Sequence, residues 1–111
     1  MKKYIILIPI YNDRESLTKL IEVINSEIEG INSEISVVVI NDASSQQIID
    51  EYPNTENINS IEIINMKENR GHARCIASGL KYIHEKEEYH YIIPMDGDGE
   101  DRPEEIKNFI E

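Results

Sequence analysis

The chain has 111 residues, 40% of them hydrophobic, which is enough to bury one core and too little for two domains. Its 22 acidic and 11 basic residues give a formal net charge of −11, which excludes the basic footprint of a nucleic-acid-binding protein. The single cysteine, Cys75, excludes an internal disulfide and a cysteine-based zinc site. The first apolar run is too short to span a bilayer, so we expect a cytoplasmic protein, with the membrane surface as a compatible location.

Apolar runs alternate with amphipathic segments in the first half of the chain. Residues 4–10 are rich in β-branched side chains and predict a strand buried on both faces. Asp13 can cap the helix that follows, and Gly30 can end it. A second strand is predicted at residues 35–40, followed by a short helix near residues 46–52.

The second half repeats this alternation. It predicts strands at residues 61–65 and 89–95, a helix over residues 70–86 and a last helix beginning near Pro103. The apolar side of the helix over 70–86 is predicted to contain Ala73, Ile76, Ala77, Leu80 and Ile83. The pattern indicates an α/β fold, a Rossmann-like and mostly parallel sheet flanked by helices, in which ligands bind at the carboxyl ends of the strands.

Acidic and amide side chains follow three of the predicted strands. They are Asn12 and Asp13, then Asn41 and Asp42, and finally the run Asp96-Gly-Asp-Gly-Glu-Asp101. In that run Asp96, Asp98 and Glu100 alternate with Gly97 and Gly99, so that short carboxylates can converge as the backbone turns. Carboxylate oxygens suit Mg²⁺ or Mn²⁺. A solvated acidic turn is the alternative for an isolated Asp-x-Asp, whereas a calcium loop is excluded because Asp101 and Lys107 replace its required glycine and glutamate.

Four short motifs follow one another along the chain. They are Ile8-Pro-Ile-Tyr-Asn12, Val38-Val-Ile-Asn-Asp-Ala-Ser44, Asn69-Arg-Gly-His-Ala-Arg74 and Met95-Asp-Gly-Asp98. Together they resemble glycosyltransferase family 2. The closing run through Ile106 is most similar to the branch that transfers sugars to polyprenyl phosphates, the dolichyl-phosphate mannose synthase type, although Gly99 and Glu100 stand where that branch has Leu-Gln.

The resemblance implies that residues 1–111 form the nucleotide-binding part of a GT-A fold, whose acceptor half is absent and whose catalytic base is expected beyond Glu111. It implies transfer, with inversion, of a sugar from a UDP- or GDP-linked donor to a lipid phosphate or a glycan, assisted by Mg²⁺ or Mn²⁺. Residue by residue, it implies a donor site of Pro9, Tyr11, Asn12, Asp13, Asp42, Arg74 and Asp96, and a metal site of Asp96, Asp98 and Glu100.

Other interpretations of these residues remain open at the level of sequence. Asp13 and Asp42 can be helix caps, Arg74 can pair with a neighbouring acid, and Cys75 is interpreted as a small packed side chain. The fold also allows a non-catalytic nucleotide- or partner-binding module, or a receiver-like signalling domain, although the third strand ends in Asn65-Met-Lys without the required aspartate. The glycine fingerprint of a dinucleotide-binding oxidoreductase is missing. An uncovered sheet edge would favour a homodimer.

Overall fold

Four strands and two helices form the part of the chain that the computed structural model describes, which is residues 2–11, 14–42, 55–66, 71–86 and 89–95. In chain order these elements are β1 (Lys3–Ile10), α1 (Arg14–Glu27), β2 (Glu34–Asn41), β3 (Ser60–Asn65), α2 (His72–Lys86) and β4 (Tyr91–Pro94). Each corresponds to an element predicted from the apolar patterning. The predicted helices near 46–52 and after Pro103, and the cap at Asp13, lie outside the described residues.

All neighbouring strands of the sheet run parallel, in the order β3-β2-β1-β4. The predicted parallel α/β sheet is therefore confirmed. Because the strands share one direction, their carboxyl ends meet at the same edge, where open α/β sheets bind their ligands.

The core has two halves, one on each face of the sheet. Successive side chains of a strand point to opposite faces, so alternate residues of β1 enter different clusters. Ile6 and Ile8 pack with the apolar side of α1, whereas Ile5 and Leu7 pack with α2. This two-sided burial explains why β1 is a nearly continuous apolar run rather than an alternating one.

The face of α2 that contacts the sheet agrees with the predicted one only in part. Ile76 and Ile83 pack on the core as predicted, whereas Ala77 and Leu80 are exposed. Cys75 and Gly79, which were not predicted on this face, are buried. A Cβ atom added to Gly79 would lie 2.6 Å from Leu7 Cδ1 and 3.1 Å from Ile40 Cγ1, so Gly79 brings the helix backbone close to the sheet.

The start of β4 is also later than predicted. The strand begins at Tyr91 rather than at residue 89. The His90 N–H donates to the Lys3 carbonyl at 2.9 Å, and the Lys3 N–H donates to His90 Nδ1 at 3.0 Å. The His90 imidazole thus accepts from the Lys3 N–H, which would otherwise donate to a backbone carbonyl of the neighbouring strand. The regular pairing of β4 with β1 therefore begins at the next residue, Tyr91.

Gly30 and a pair of asparagines, Asn25 and Asn57, shape the segments that connect the elements in the first half of the chain. Gly30 has φ of 82° in the turn that follows α1, three residues after Glu27, the last residue of the helix. This left-handed conformation suits glycine, and its predicted role in ending the helix stays a prediction. The buried Asn25 accepts a hydrogen bond from the Asn57 N–H at 2.8 Å, and the Asn57 amide donates to the Asn25 carbonyl at 2.9 Å. This pair joins α1 to the segment that leads into β3.

Among the described helices, none combines the length and the apolar character needed to cross a lipid bilayer.

We expect Gly79→Ala to destabilise the fold, although alanine is the better helix former by about 1 kcal/mol. The added methyl group would clash with the Leu7 side chain, which is fully buried and therefore cannot move aside into solvent. Overpacking of this kind costs about 1–3 kcal/mol, so the net free energy of unfolding should fall. Urea unfolding measures it, with Lys81→Ala as the control at an exposed position of the same helix. An unchanged or raised unfolding midpoint for Gly79→Ala would contradict the close approach.

Candidate functional site

At the carboxyl edge of the sheet, β1 stays paired with β2 for longer than with β4, and Pro9 explains the difference. The last residue pair between β1 and β4 is Leu7 with Pro94, whereas β1 and β2 stay paired through Ile10 and Asn41. Met95 donates its N–H to the Leu7 carbonyl at 2.8 Å. The next rung of a parallel ladder would run from the N–H of residue 9 to the carbonyl of residue 95, and proline has no N–H to donate. Pairing with β4 therefore ends one residue before the Asp96 run begins.

A small cavity opens where β1 and β2 end. It has a volume of about 90 Å³ and is lined by Pro9, Ile10, Tyr11, Asp42 and Cys75. Tyr11 is 53% exposed, whereas Asp42 is only 4% exposed. Typical small-molecule sites measure about 300–1,000 Å³, so this cavity suits one edge of a planar group rather than a whole nucleotide.

Asp42 connects the end of β2 to the start of α2. Its N–H continues the sheet by donating to the Ile10 carbonyl at 2.9 Å. Its Oδ2 atom accepts a hydrogen bond of 2.9 Å from the N–H of Gly71, which has φ of 84°. The Gly71 carbonyl in turn accepts from the Cys75 N–H at 3.0 Å, the first turn of α2. A non-glycine residue would be strained at Gly71, so this position suits glycine.

Cys75 contacts the same carboxylate from the first turn of α2. Its side chain is fully buried and hydrogen-bonds to Asp42. Burial raises the pKa of Cys75 to about 12, with further contributions from the hydrogen bond to Asp42 and from the negative charge of Asp42. The thiol is therefore a protonated donor at neutral pH, which argues against a nucleophilic role and agrees with its interpretation as a packed side chain.

Asn41 extends the polar edge towards β3. It is 6% exposed, and its Nδ2 atom donates to Asn65 Oδ1 at 2.8 Å. These two residues are direct register partners, and the Met66 N–H adds a bond of 2.8 Å to the Asn41 carbonyl. The amide pair thus holds the ends of β2 and β3 together beside Asp42.

Arg74 lies at an adjacent, larger cavity. This cavity has a volume of about 300 Å³ and is lined by Met66, Arg74, Ala77 and Ser78. Arg74 is exposed. Arg74 and Cys75 are neighbours in the first turn of α2, but they line different cavities. The structure therefore does not bring the guanidinium into the cavity that Asp42 lines.

The structure brings together three residues of the predicted donor site, Pro9, Tyr11 and Asp42, whereas Arg74 lines a different cavity. Asn12 and Asp13 lie outside the described residues, as do all three predicted metal ligands, Asp96, Asp98 and Glu100. The roles of all these residues, including those at the cavity, stay predictions. Gly71 was not singled out from the sequence, although its place four residues before Cys75 in the third motif is the signal that could have found it.

Comparison with known proteins identifies the class of this architecture. The family model described as glycosyl transferase family 2 matches residues 5–111. Two crystal structures of TarS from S. aureus share 24% sequence identity with the chain at a TM-score of 0.72 and cover 98% of it. The chain spans 19% of the longer TarS chain and 31% of the chain described as TarS 1-349.

The parallel four-stranded sheet with its flanking helices matches the N-terminal half of the GT-A architecture. The chain belongs to glycosyl transferase family 2. The resemblance inferred from the four motifs is thereby confirmed at the level of family and fold.

The raised pKa of Cys75 predicts a specific loss of stability at alkaline pH. A thiol whose pKa is higher in the folded state stabilises the fold while it is protonated in both states, and this contribution is lost as the pH rises from about 9 to about 12. Cys75→Ser removes the only thiol of the chain. We expect the free energy of unfolding of the native chain, relative to Cys75→Ser, to decrease across this interval in urea titrations. A difference that does not change with pH would contradict the buried, protonated thiol.

Proposed function

We propose that this chain is the donor-binding part of an inverting glycosyltransferase that takes its sugar from a nucleotide diphosphate. The observation that carries the proposal is the buried Asp42 carboxylate, which lines the cavity beside Pro9 and Tyr11 at the carboxyl edge of the sheet. Membership of the family supports sugar transfer as the class of reaction. The position of the cavity at the carboxyl edge of the sheet, where open α/β sheets bind ligands, supports it as the donor site.

The cavity suits the recognition of a base or a ribose. An ionised carboxylate has about four acceptor positions, so Asp42 can accept from a ligand N–H or O–H while it also accepts from Gly71 and Cys75. The Tyr11 ring is half exposed at the opening of the cavity and offers an apolar surface for a planar base. A uracil or guanine edge presents the N–H donors that such a site selects, which agrees with a UDP- or GDP-linked donor.

The diphosphate would be held by a divalent cation on the Asp96 run. Asp98 would be its principal ligand, with Asp96 and Glu100 supplying further oxygens, and this hard oxygen donor set fits Mg²⁺ or Mn²⁺. Such a cation neutralises the charge that develops on the leaving nucleoside diphosphate. The run follows directly after Met95, whose bond to Leu7 anchors the chain at the end of β1. Arg74, which is exposed in the first turn of α2, would add positive charge near the phosphates.

The acceptor would bind to residues that follow this part of the enzyme. We propose a polyprenyl phosphate or a glycan hydroxyl as the acceptor, on the strength of the closing motif through Ile106. A phosphate acceptor is already anionic and needs less help from a base than a hydroxyl does. Attack from the face opposite the nucleoside diphosphate would invert the anomeric carbon.

Calorimetric titration of UDP and of GDP into the chain tests the proposal. With Mn²⁺ present we expect one of the two to bind, and we expect binding to fail when the metal is omitted. Asp98→Ala should abolish the metal-dependent signal. Asp42→Asn should weaken binding by about 10–100-fold, because a hydrogen bond to a charged group is lost.

Glu85→Gln is the matched control, since it removes one negative charge from an exposed position of α2. It should bind the nucleotide like the native chain. Binding of neither nucleotide in the presence of Mn²⁺ would contradict a donor site. Binding that is independent of metal and unaffected by Asp98→Ala would instead favour a non-catalytic nucleotide-binding module.

A further inference from the structure

The Asp42 carboxylate is held by two donors at the start of α2. One is the N–H of Gly71, the residue before the helix, 2.9 Å from Oδ2. The other is the thiol of Cys75, which lines the same cavity as the carboxylate and hydrogen-bonds to it. Asp42 itself directly follows the last residue of β2, so the orientation of its carboxylate depends on the start of α2 as well as on the end of β2.

The two donors differ in what a substitution can change. The Gly71 N–H belongs to the backbone and persists in most variants, whereas the thiol is a side chain that can be replaced. Cys75 also lines the cavity beside Asp42, so it is in contact with both the carboxylate and the space that a ligand would enter. Its small size matters, because a larger side chain would extend into a cavity of about 90 Å³.

We propose that Cys75 is a positioning residue for the donor nucleotide, with its thiol holding the Asp42 carboxylate towards the cavity that Pro9 and Tyr11 line. This inference rests on the proposed function. A side chain fixed by hydrogen bonds before the ligand arrives loses less conformational freedom on binding, so the ligand binds more tightly. The thiol does not touch the reacting atoms, and its effect passes through Asp42.

Two substitutions at Cys75 separate the hydrogen bond from the packing. Cys75→Ser keeps a donor of similar size, whereas Cys75→Ala removes the donor and keeps the volume small. We expect Cys75→Ala to weaken UDP or GDP binding by up to about tenfold, the cost of immobilising one freed side chain when the ligand binds. Cys75→Ser should bind within about threefold of the native chain, because it retains that bond.

The affinity for inorganic pyrophosphate in the presence of Mn²⁺ separates a positioning role from general damage to the fold, because general damage would lower this affinity too. Pyrophosphate lacks the base and the ribose, so its affinity should be the same in Cys75→Ala as in the native chain. Ile83→Val is the packing control, since Ile83 is fully buried on the same helix away from the cavity. It should lower the free energy of unfolding without changing either affinity. In an Asp42→Asn background, Cys75→Ala should have no further effect on nucleotide binding.

The outcomes distinguish this inference from the function on which it rests. If the native chain binds neither UDP nor GDP, the proposed function and this inference fail together. If it binds one of them and Cys75→Ala binds equally well, only the positioning role is overturned. An equal loss of nucleotide and pyrophosphate affinity in Cys75→Ala would also overturn it, because that result indicates general damage to the fold.

Discussion

The hydrogen bond from Gly71 to the Asp42 carboxylate connects the sheet to the helix that completes its edge. A carboxylate that is 4% exposed must be hydrogen-bonded, because burying an unpaired charge is costly. Gly71 and Cys75 satisfy it from the start of α2, and this fixes where α2 begins above the ends of β1 and β2. Further along the same helix, Gly79 lets the backbone settle on Leu7 and Ile40. The cavity beside Tyr11 exists because both contacts hold the helix in this position.

The second constraint on the edge of the sheet comes from Pro9, because proline has no backbone N–H to donate. Without an N–H at this position the hydrogen-bond ladder between β1 and β4 lacks its next rung, and the last bond of that ladder is the one from Met95, the residue before the acidic run. The same residue lines the cavity that Asp42 lines. One proline thus helps to end a strand pairing and to shape a wall of the candidate site, which explains how it fits within a central strand that would otherwise exclude it.

Much of the fold could be predicted from the sequence because its signals are local. The β-branched runs predicted four parallel strands. The buried face of α2 could be predicted only in part. Ile76 and Ile83 pack on the core as predicted, but apolar periodicity favours Leu80 over Gly79, whereas the close approach of the helix favours the residue with no side chain. The role of His90 was missed for a related reason. A side chain that replaces a backbone acceptor depends on a neighbour that is distant in sequence.

The candidate site shows the same division. The resemblance to the family implied that Pro9, Tyr11 and Asp42 belong to one donor site, and they line one cavity at the edge where the parallel strands end. The hydrogen bonds of Asp42 with Gly71 and Cys75 were not predicted, since they join residues about 30 positions apart whose meeting depends on tertiary packing. Periodicity and motifs identify which elements meet, whereas the partners of a buried polar group follow from how those elements pack.

The most direct test of a donor site at this edge is a crystal structure of the chain with UDP or GDP and Mn²⁺, with anomalous diffraction used to locate the manganese. The account predicts the base between Tyr11 and Asp42, and a single manganese peak bound by Asp98. A nucleotide bound elsewhere, such as along the outer strand β3, or a manganese ion held without Asp98, would contradict it.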